Sequence, residues 1–97
     1  MKMISYTELK DWQSSGKKFQ LIDIREEHEV ADSSIGGTHI PMAEVVDRVN
    51  ELRTDIPVVI HCRSGRRSSA VVYTLEKKFA LANIYTLEGG ILAAKEG

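Results

Sequence analysis

Residues 57–68, with the sequence PVVIHCRSGRRS, join an apolar stretch to a basic loop that contains a glycine. The stretch Val58–His61 is rich in β-branched residues and predicts one buried strand. A helical pattern begins at about Ser68, so Cys62 faces the loop N–H groups and the positive end of a helix dipole. Such surroundings favour a thiolate and lower a cysteine pKa from about 8.5 into roughly the 3.5–7.5 range. The stretch therefore predicts a cysteine nucleophile presented in an anion-binding loop.

Strand and helix patterns alternate on both sides of this loop. Strands are predicted over 19–24, 38–40, 58–61 and 83–87, and helices over 8–12 (capped by Thr7), 26–30, 42–52, 69–79 and 91–95. Gly89-Gly90 predicts a tight turn. Alternating strands and helices favour a parallel sheet covered on both faces. The site of such a sheet lies beyond the carboxyl ends of its strands, where Cys62 falls.

The bulk composition excludes several classes of protein and of functional site. A chain of 97 residues with 42% hydrophobic content fits one core, so residues 1–97 are predicted to form a single domain. One cysteine excludes an intramolecular disulfide and a Cys-rich zinc site, and we expect no metal or other cofactor. A net charge of −1 gives no support to nucleic-acid or membrane-surface binding. The sequence shows no apolar membrane span and no signal-peptide pattern, which predicts a cytoplasmic protein.

The loop carries a local concentration of positive charge. Arg63, Arg66 and Arg67 are expected to attract a small anionic sulfur donor such as thiosulfate and to bind it by charge-assisted hydrogen bonds. Ser64 and Gly65 belong to the same substrate-binding loop. A structural role at the start of the helix is the alternative for Arg67.

Other residues are expected to support the site. Ser68 is interpreted as a helix cap, with a hydroxyl bond to the sulfur as the alternative. Asp23 and Arg25 end the other clear buried strand, and we expect them at the same edge as Cys62, as an ion pair that braces loops. His61 is expected to point to the opposite face from Cys62 and to have a packing or hydrogen-bonding role.

The length of the loop bears on its chemistry. In cysteine phosphatases an arginine follows the cysteine after five intervening residues, because a phosphoryl group needs a wide ring and a bidentate guanidinium. Here the sixth residue after Cys62 is Ser68, and Arg67 stands one place earlier. The shorter ring suits the outer sulfur of a persulfide, which is smaller than a phosphoryl group.

Four motifs in order resemble those of a single-domain rhodanese: LIDIR (21–25), GGTHIP (36–41), HCRSGRRS (61–68) and LEGGIL (87–92). The resemblance implies an α/β, three-layer fold with a central five-stranded parallel sheet and helices on both faces. It also implies that Cys62 takes a sulfane sulfur as a persulfide and passes it to a thiophilic acceptor. That acceptor is cyanide in an assay and a thiol or a sulfur-acceptor protein in the cell. The loop from Cys62 to Arg67 would hold the outer sulfur with its amides.

Two alternatives stand beside sulfur transfer. One is a phosphatase or arsenate reductase on the same fold, which the short loop disfavours. The other is a binding or regulatory module without turnover; family members of that kind commonly lack the cysteine that this chain keeps. The chain also departs from the family pattern at 32–37 (DSSIGG) and at Ala94, where the family usually has tryptophan.

Overall fold

The computed structural model describes residues 1–96 and contains a five-stranded parallel sheet. The strands are β1 (Lys2–Ile4), β2 (Gln20–Asp23), β3 (Thr38–His39), β4 (Val58–His61) and β5 (Ile84–Leu87). They lie in the order β1-β5-β4-β2-β3, and every neighbouring pair is parallel. The central strand β4 is buried at all four positions, as expected for a strand covered on both faces. The predicted five-stranded parallel sheet is confirmed.

Apolar side chains cover the sheet on both faces. The helices are α1 (Tyr6–Ser15), α2 (Glu27–Asp32), α3 (Arg66–Phe79) and α4 (Gly90–Glu96). Because alternate strand residues face opposite sides, Val59 lies in an apolar cluster with Leu9 of α1, whereas Ile60 lies in a second cluster with Val72 and Leu75 of α3. Each such aliphatic side chain contributes roughly 1.5–3 kcal/mol when fully buried. The three-layer prediction is confirmed.

The amino terminus differs from its prediction. Helix α1 begins after Ser5 rather than Thr7, because Ser5 Oγ accepts the Glu8 N–H at 3.1 Å while the Glu8 carboxylate accepts the Ser5 N–H at 3.2 Å. This reciprocal capping box satisfies donors that the first turn leaves free. The sequence pattern does not predict β1, which has only three residues and forms by pairing with Tyr85–Leu87.

The predicted helix over 42–52 is wrong. The structure has two short 3-10 turns there, Met42–Glu44 and Val49–Glu51. Val45 and Leu52 are buried, so the apolar spacing reports core contacts correctly. The segment is rich in β-branched valines, which lose side-chain freedom in a helix and weaken its formation. Within residues 1–96, no helix is both long enough and apolar enough to traverse a bilayer.

Candidate functional site

Cys62 directly follows β4 at the carboxyl edge of the sheet. Helix α3 begins at Arg66, three residues earlier than predicted, because Gly65 precedes it with a φ of 100°. Residues with side chains rarely adopt this φ, so the glycine permits the abrupt turn from loop to helix. Ser68 therefore lies inside the helix, and its interpretation as the cap is wrong. Its hydroxyl donates back to the Gly65 carbonyl oxygen at 3.2 Å.

Hydrogen-bond donors surround the Cys62 sulfur. The Gly65 N–H donates to Sγ at 3.1 Å and the Ser68 N–H at 3.4 Å, while Ser68 Oγ lies 3.5 Å from Sγ. Burial raises the pKa of the Cys62 thiol, but the Ser68 hydroxyl and the amides of Ser68, Gly65 and Ser64 outweigh it. The pKa therefore lies below its ordinary value. The first turn of α3 thus stabilises a thiolate with its free N–H groups.

Cys62 is more enclosed than a presented nucleophile is expected to be. The residue is 0% exposed and lies in the same apolar cluster as Ile60 and Val72. The amides nevertheless converge on the sulfur, so it is not surrounded by hydrocarbon alone. Arg63 and Ser64 are exposed in the loop that follows.

The three arginines of the loop have different surroundings. Arg63 and Arg66 are exposed to solvent. Arg67 forms a bidentate ion pair with Glu29 of α2, at 2.8 and 2.9 Å. These bonds lower the pKa of Glu29 to about 2. Arg67 thus links the start of α3 to α2, as in the structural alternative raised for it, while the side chains of Arg63 and Arg66 are in solvent.

Asp23 and Arg25 form a buried ion pair at the end of β2. Arg25 Nη2 lies 2.8 Å from Asp23 Oδ2, and Arg25 Nε donates to the same carboxylate at 3.0 Å. The Arg25 guanidinium also donates to the carbonyl oxygens of Ser33 at 2.7 Å and Glu29 at 3.4 Å. Burial raises the pKa of Asp23, but the bonds from Arg25 keep it below its ordinary value. The pair braces α2 and the loop after it, as expected.

His61 is fully buried beside this ion pair. Its Nε2 lies 3.8 Å from Asp23 Oδ2, and within residues 1–96 neither ring nitrogen has a hydrogen-bond partner. Burial lowers the pKa of His61 despite the nearby carboxylate, so the ring is held neutral. The buried ring has the packing role that is one of the two expected for it.

Two further residues of the site were not predicted. Thr86 of β5 places its hydroxyl oxygen 2.7 Å from Ser68 Oγ, although it reads in the sequence as an ordinary strand residue. Gly90 does more than form a turn, because a Cβ there would lie 2.5 Å from the Arg63 carbonyl oxygen. The N–H of Ile91 donates to the Cys62 carbonyl oxygen at 3.0 Å, so α4 supports the loop from behind.

An open pocket of about 410 Å³ adjoins the loop between α2 and α4. Its walls include Arg63 of the loop, Asp32 of α2, and Ile91, Leu92 and Lys95 of α4. The pocket therefore combines charged and apolar groups next to the loop that follows Cys62.

Metal-ligating side chains are dispersed in the part of the chain that the structure describes. Within residues 1–96 no three His, Cys, Asp or Glu side chains converge to hold an ion. His39 Nε2 lies 2.7 Å from the Arg25 carbonyl oxygen, and His28 lines the pocket.

Known proteins are similar to this chain in sequence and in fold. The family model described as Rhodanese-like domain matches residues 5–96. The putative sulfurtransferase YtwF of Bacillus subtilis is 37% identical over 95 residues, which cover 96% of this chain and 89% of that protein. The uncharacterized protein YqhL of the same organism is 38% identical, and the match spans 82% of this chain but only 64% of YqhL. A crystal structure of a rhodanese-like domain protein from Staphylococcus aureus superposes with a TM-score of 0.86, at 32% identity, and covers 96% of this chain and 90% of that one.

Proposed function

The chain belongs to the rhodanese-like domain family, and from that premise we propose that it is a sulfurtransferase that carries sulfur as a persulfide on Cys62. The observation that carries the proposal is the sulfur atom at the end of β4, bound by N–H donors at 3.1 and 3.4 Å. Such donors stabilise the thiolate, which is the nucleophilic form of cysteine. The name of the relative YtwF, a putative sulfurtransferase, supports the same reaction class.

The proposed first step consumes an anionic donor such as thiosulfate. The Cys62 thiolate attacks the outer sulfur of the donor, a new S–S bond forms, and the original S–S bond breaks with both electrons leaving on sulfite. The persulfide then carries the negative charge on its outer sulfur. Arg63 and Arg66 are proposed to attract the donor, and the amides of Ser64 and Gly65 to hold the outer sulfur.

The proposed second step returns the free thiolate. A nucleophilic acceptor attacks the outer sulfur, and the electrons of the Cys62 S–S bond return to Sγ. Cyanide would leave as thiocyanate in an assay, whereas a thiol or a sulfur-acceptor protein would serve in the cell. Arg67, Ser68, Asp23 and Arg25 have supporting roles in this proposal. We propose that residues 1–97 form one rhodanese domain that acts in the cytoplasm, a reducing compartment in which the Cys62 thiol stays reduced.

Intact mass after incubation with thiosulfate tests the proposal. One added sulfur atom raises the mass by about 32 Da, and a reductant removes it. We expect this adduct in the wild-type protein, no adduct in Cys62→Ser, and thiocyanate release when cyanide is added. A wild-type protein that is alkylated readily at Cys62 but never gains sulfur would contradict the proposal. Hydrolysis of p-nitrophenyl phosphate that depends on Cys62 would favour the phosphatase alternative instead.

A further inference from the structure

Two buried hydroxyl groups form a short chain that ends at the Cys62 sulfur. Thr86 Oγ1 on β5 lies 2.7 Å from Ser68 Oγ on α3, which lies 3.5 Å from Cys62 Sγ and 3.2 Å from the Gly65 carbonyl oxygen. Ser68 and Thr86 are 0% and 1% exposed. A buried hydroxyl without a partner costs about 1–3 kcal/mol, so both protons need acceptors within this group.

The available acceptors determine where the protons lie. Within residues 1–96, Ser68 Oγ is the single hydrogen-bond partner of the Thr86 hydroxyl, so Thr86 donates to Ser68. The Ser68 proton therefore points away from Thr86. Its remaining acceptors are the Gly65 carbonyl oxygen and Cys62 Sγ.

The Ser68 proton can change acceptor without leaving a group unsatisfied. The Gly65 carbonyl oxygen also accepts the Ser69 N–H at 3.0 Å, so it keeps a partner in either state. When Cys62 is a thiol, its S–H donates to the second lone pair of Ser68 Oγ, and Ser68 donates to Gly65. When Cys62 has lost its proton to solvent, the Ser68 hydroxyl rotates and donates to the thiolate. The Thr86 bond persists in both states.

We propose that Thr86 is a positioning residue that orients and polarises Ser68 as a donor to the Cys62 thiolate. The inference rests on the proposed function, because it concerns the same nucleophile. A hydroxyl oxygen that accepts one hydrogen bond donates the next more strongly, by about 10–30%. Thr86 thus acts on the sulfur through Ser68.

Charged groups around the sulfur do not account for this effect. Arg67 interacts with the Cys62 charge from α3, while its guanidinium is bound to Glu29 of α2. On β4 and β2, His61 is adjacent to Asp23, which Arg25 neutralises. Substitutions at Ser68 and Thr86 leave all of these groups in place, so a change in Cys62 ionisation reports the hydroxyls.

The test measures Cys62 ionisation in the free protein, from the pH dependence of thiolate absorbance and of the alkylation rate. The chain has one cysteine, so both signals report Cys62 alone. Thr86→Val removes the hydroxyl with little change in shape, and we expect the ionisation constant to fall about two- to fivefold. Ser68→Ala removes the donor itself, and we expect a fall of about five- to tenfold. Thr86→Ser restores a hydroxyl and is expected to restore the wild-type constant.

The double variant decides whether Thr86 acts through Ser68. Adding Thr86→Val to Ser68→Ala is expected to change the ionisation constant no further. An equal fall in both backgrounds, or no fall from Thr86→Val in the wild-type background, overturns the proposal. If Thr86→Val does not fold, Thr86→Ala takes its place in the same cycle.

Persulfide formation, measured separately by mass, distinguishes this inference from the proposed function. If the Thr86 and Ser68 substitutions change the Cys62 ionisation constant as expected but the protein never gains sulfur, the inference is supported and sulfur transfer is rejected. Sulfur transfer with unchanged Cys62 ionisation in Thr86→Val would reject this inference alone.

Discussion

The neighbouring strands β2 and β4 both lead to a buried, anion-forming side chain at the same edge of the sheet. At the end of β2, the Asp23 carboxylate is bound by the guanidinium of Arg25 at 2.8 Å. After β4, the Cys62 sulfur is bound by N–H and O–H dipoles, while the guanidinium of Arg67 is engaged by Glu29. Asp23 has a counterion in contact, whereas the Cys62 sulfur is in contact with dipoles and interacts with the Arg67 charge only through space.

The two environments lower a pKa with opposite consequences. In both, burial raises the pKa and hydrogen bonds to the charged form outweigh it. The guanidinium fixes the Asp23 carboxylate as a structural brace. The dipoles favour the Cys62 thiolate without placing a counterion against it. The same direction of pKa shift therefore arises from two different kinds of partner, a counterion at Asp23 and dipoles at Cys62.

Removing the counterion from the β2 end gives the largest expected effect. Arg25→Ala leaves the Asp23 carboxylate buried without its charge partner, which costs about 3–5 kcal/mol of unfolding free energy. Urea denaturation of the wild type and the variant measures it. The matched control is Arg53→Ala, because the Arg53–Asp55 pair is exposed to solvent and an exposed pair contributes little to stability. Equal losses from the two variants would show that the β2 pair is not a brace.

The support behind the β4 loop is tested by Gly90→Ala. The new Cβ would lie 2.5 Å from the Arg63 carbonyl oxygen at a φ of 57°, and we expect a loss of about 1–3 kcal/mol. Gly16→Ala is the control, since Gly16 has a φ of 74° with nothing within 4 Å of the added carbon. Gly90→Ala alone is also expected to change the alkylation rate of Cys62. Identical behaviour of the two variants would exclude the loop contact as a determinant of the site.

Acid titration tests the ion pair between Arg67 and Glu29. The pKa of Glu29 is about 2 in the folded protein against an ordinary 4.5, because Arg67 favours the charged form. Its stabilisation is complete above pH 4.5 and is lost as the pH falls toward 2. Glu29→Gln removes this pH dependence, and we expect the variant to be about 1 kcal/mol less stable at neutral pH and to converge with the wild type in acid. A constant difference across that range would contradict the assignment.

The exposed arginines give the smallest expected effect. Arg63→Ala and Arg66→Ala each remove one exposed charge, and we expect the KM for thiosulfate to rise about two- to fivefold at low salt. The difference should shrink at high ionic strength because exposed charges are screened. Arg53→Ala, which removes an exposed guanidinium that is paired with Asp55, serves as the control. A salt-independent rise would indicate a direct contact rather than attraction.

Much of the fold can be predicted from the local pattern of apolar residues in the sequence. The predictions that are wrong also have local causes. Val58–His61 is observed with its predicted bounds, and the spacing of Val71, Val72 and Leu75 correctly indicates α3. The helix predicted over 42–52 fails because apolar spacing marks burial without guaranteeing helical hydrogen bonds. The interpretation of Ser68 as a cap fails because Gly65 starts the helix earlier.

Amino-acid order was enough to place the single cysteine between a buried strand and a helix, because that inference uses contacts between residues a few positions apart. Tertiary structure alone brought Thr86 to Ser68, 18 positions away, and Glu29 to Arg67, 38 positions away. It also placed Gly90 against the Arg63 carbonyl oxygen and β1 beside β5. These partners meet through the strand order of the sheet and the packing of α2, α3 and α4 around it. No local periodicity encodes which distant side chains that packing brings into contact.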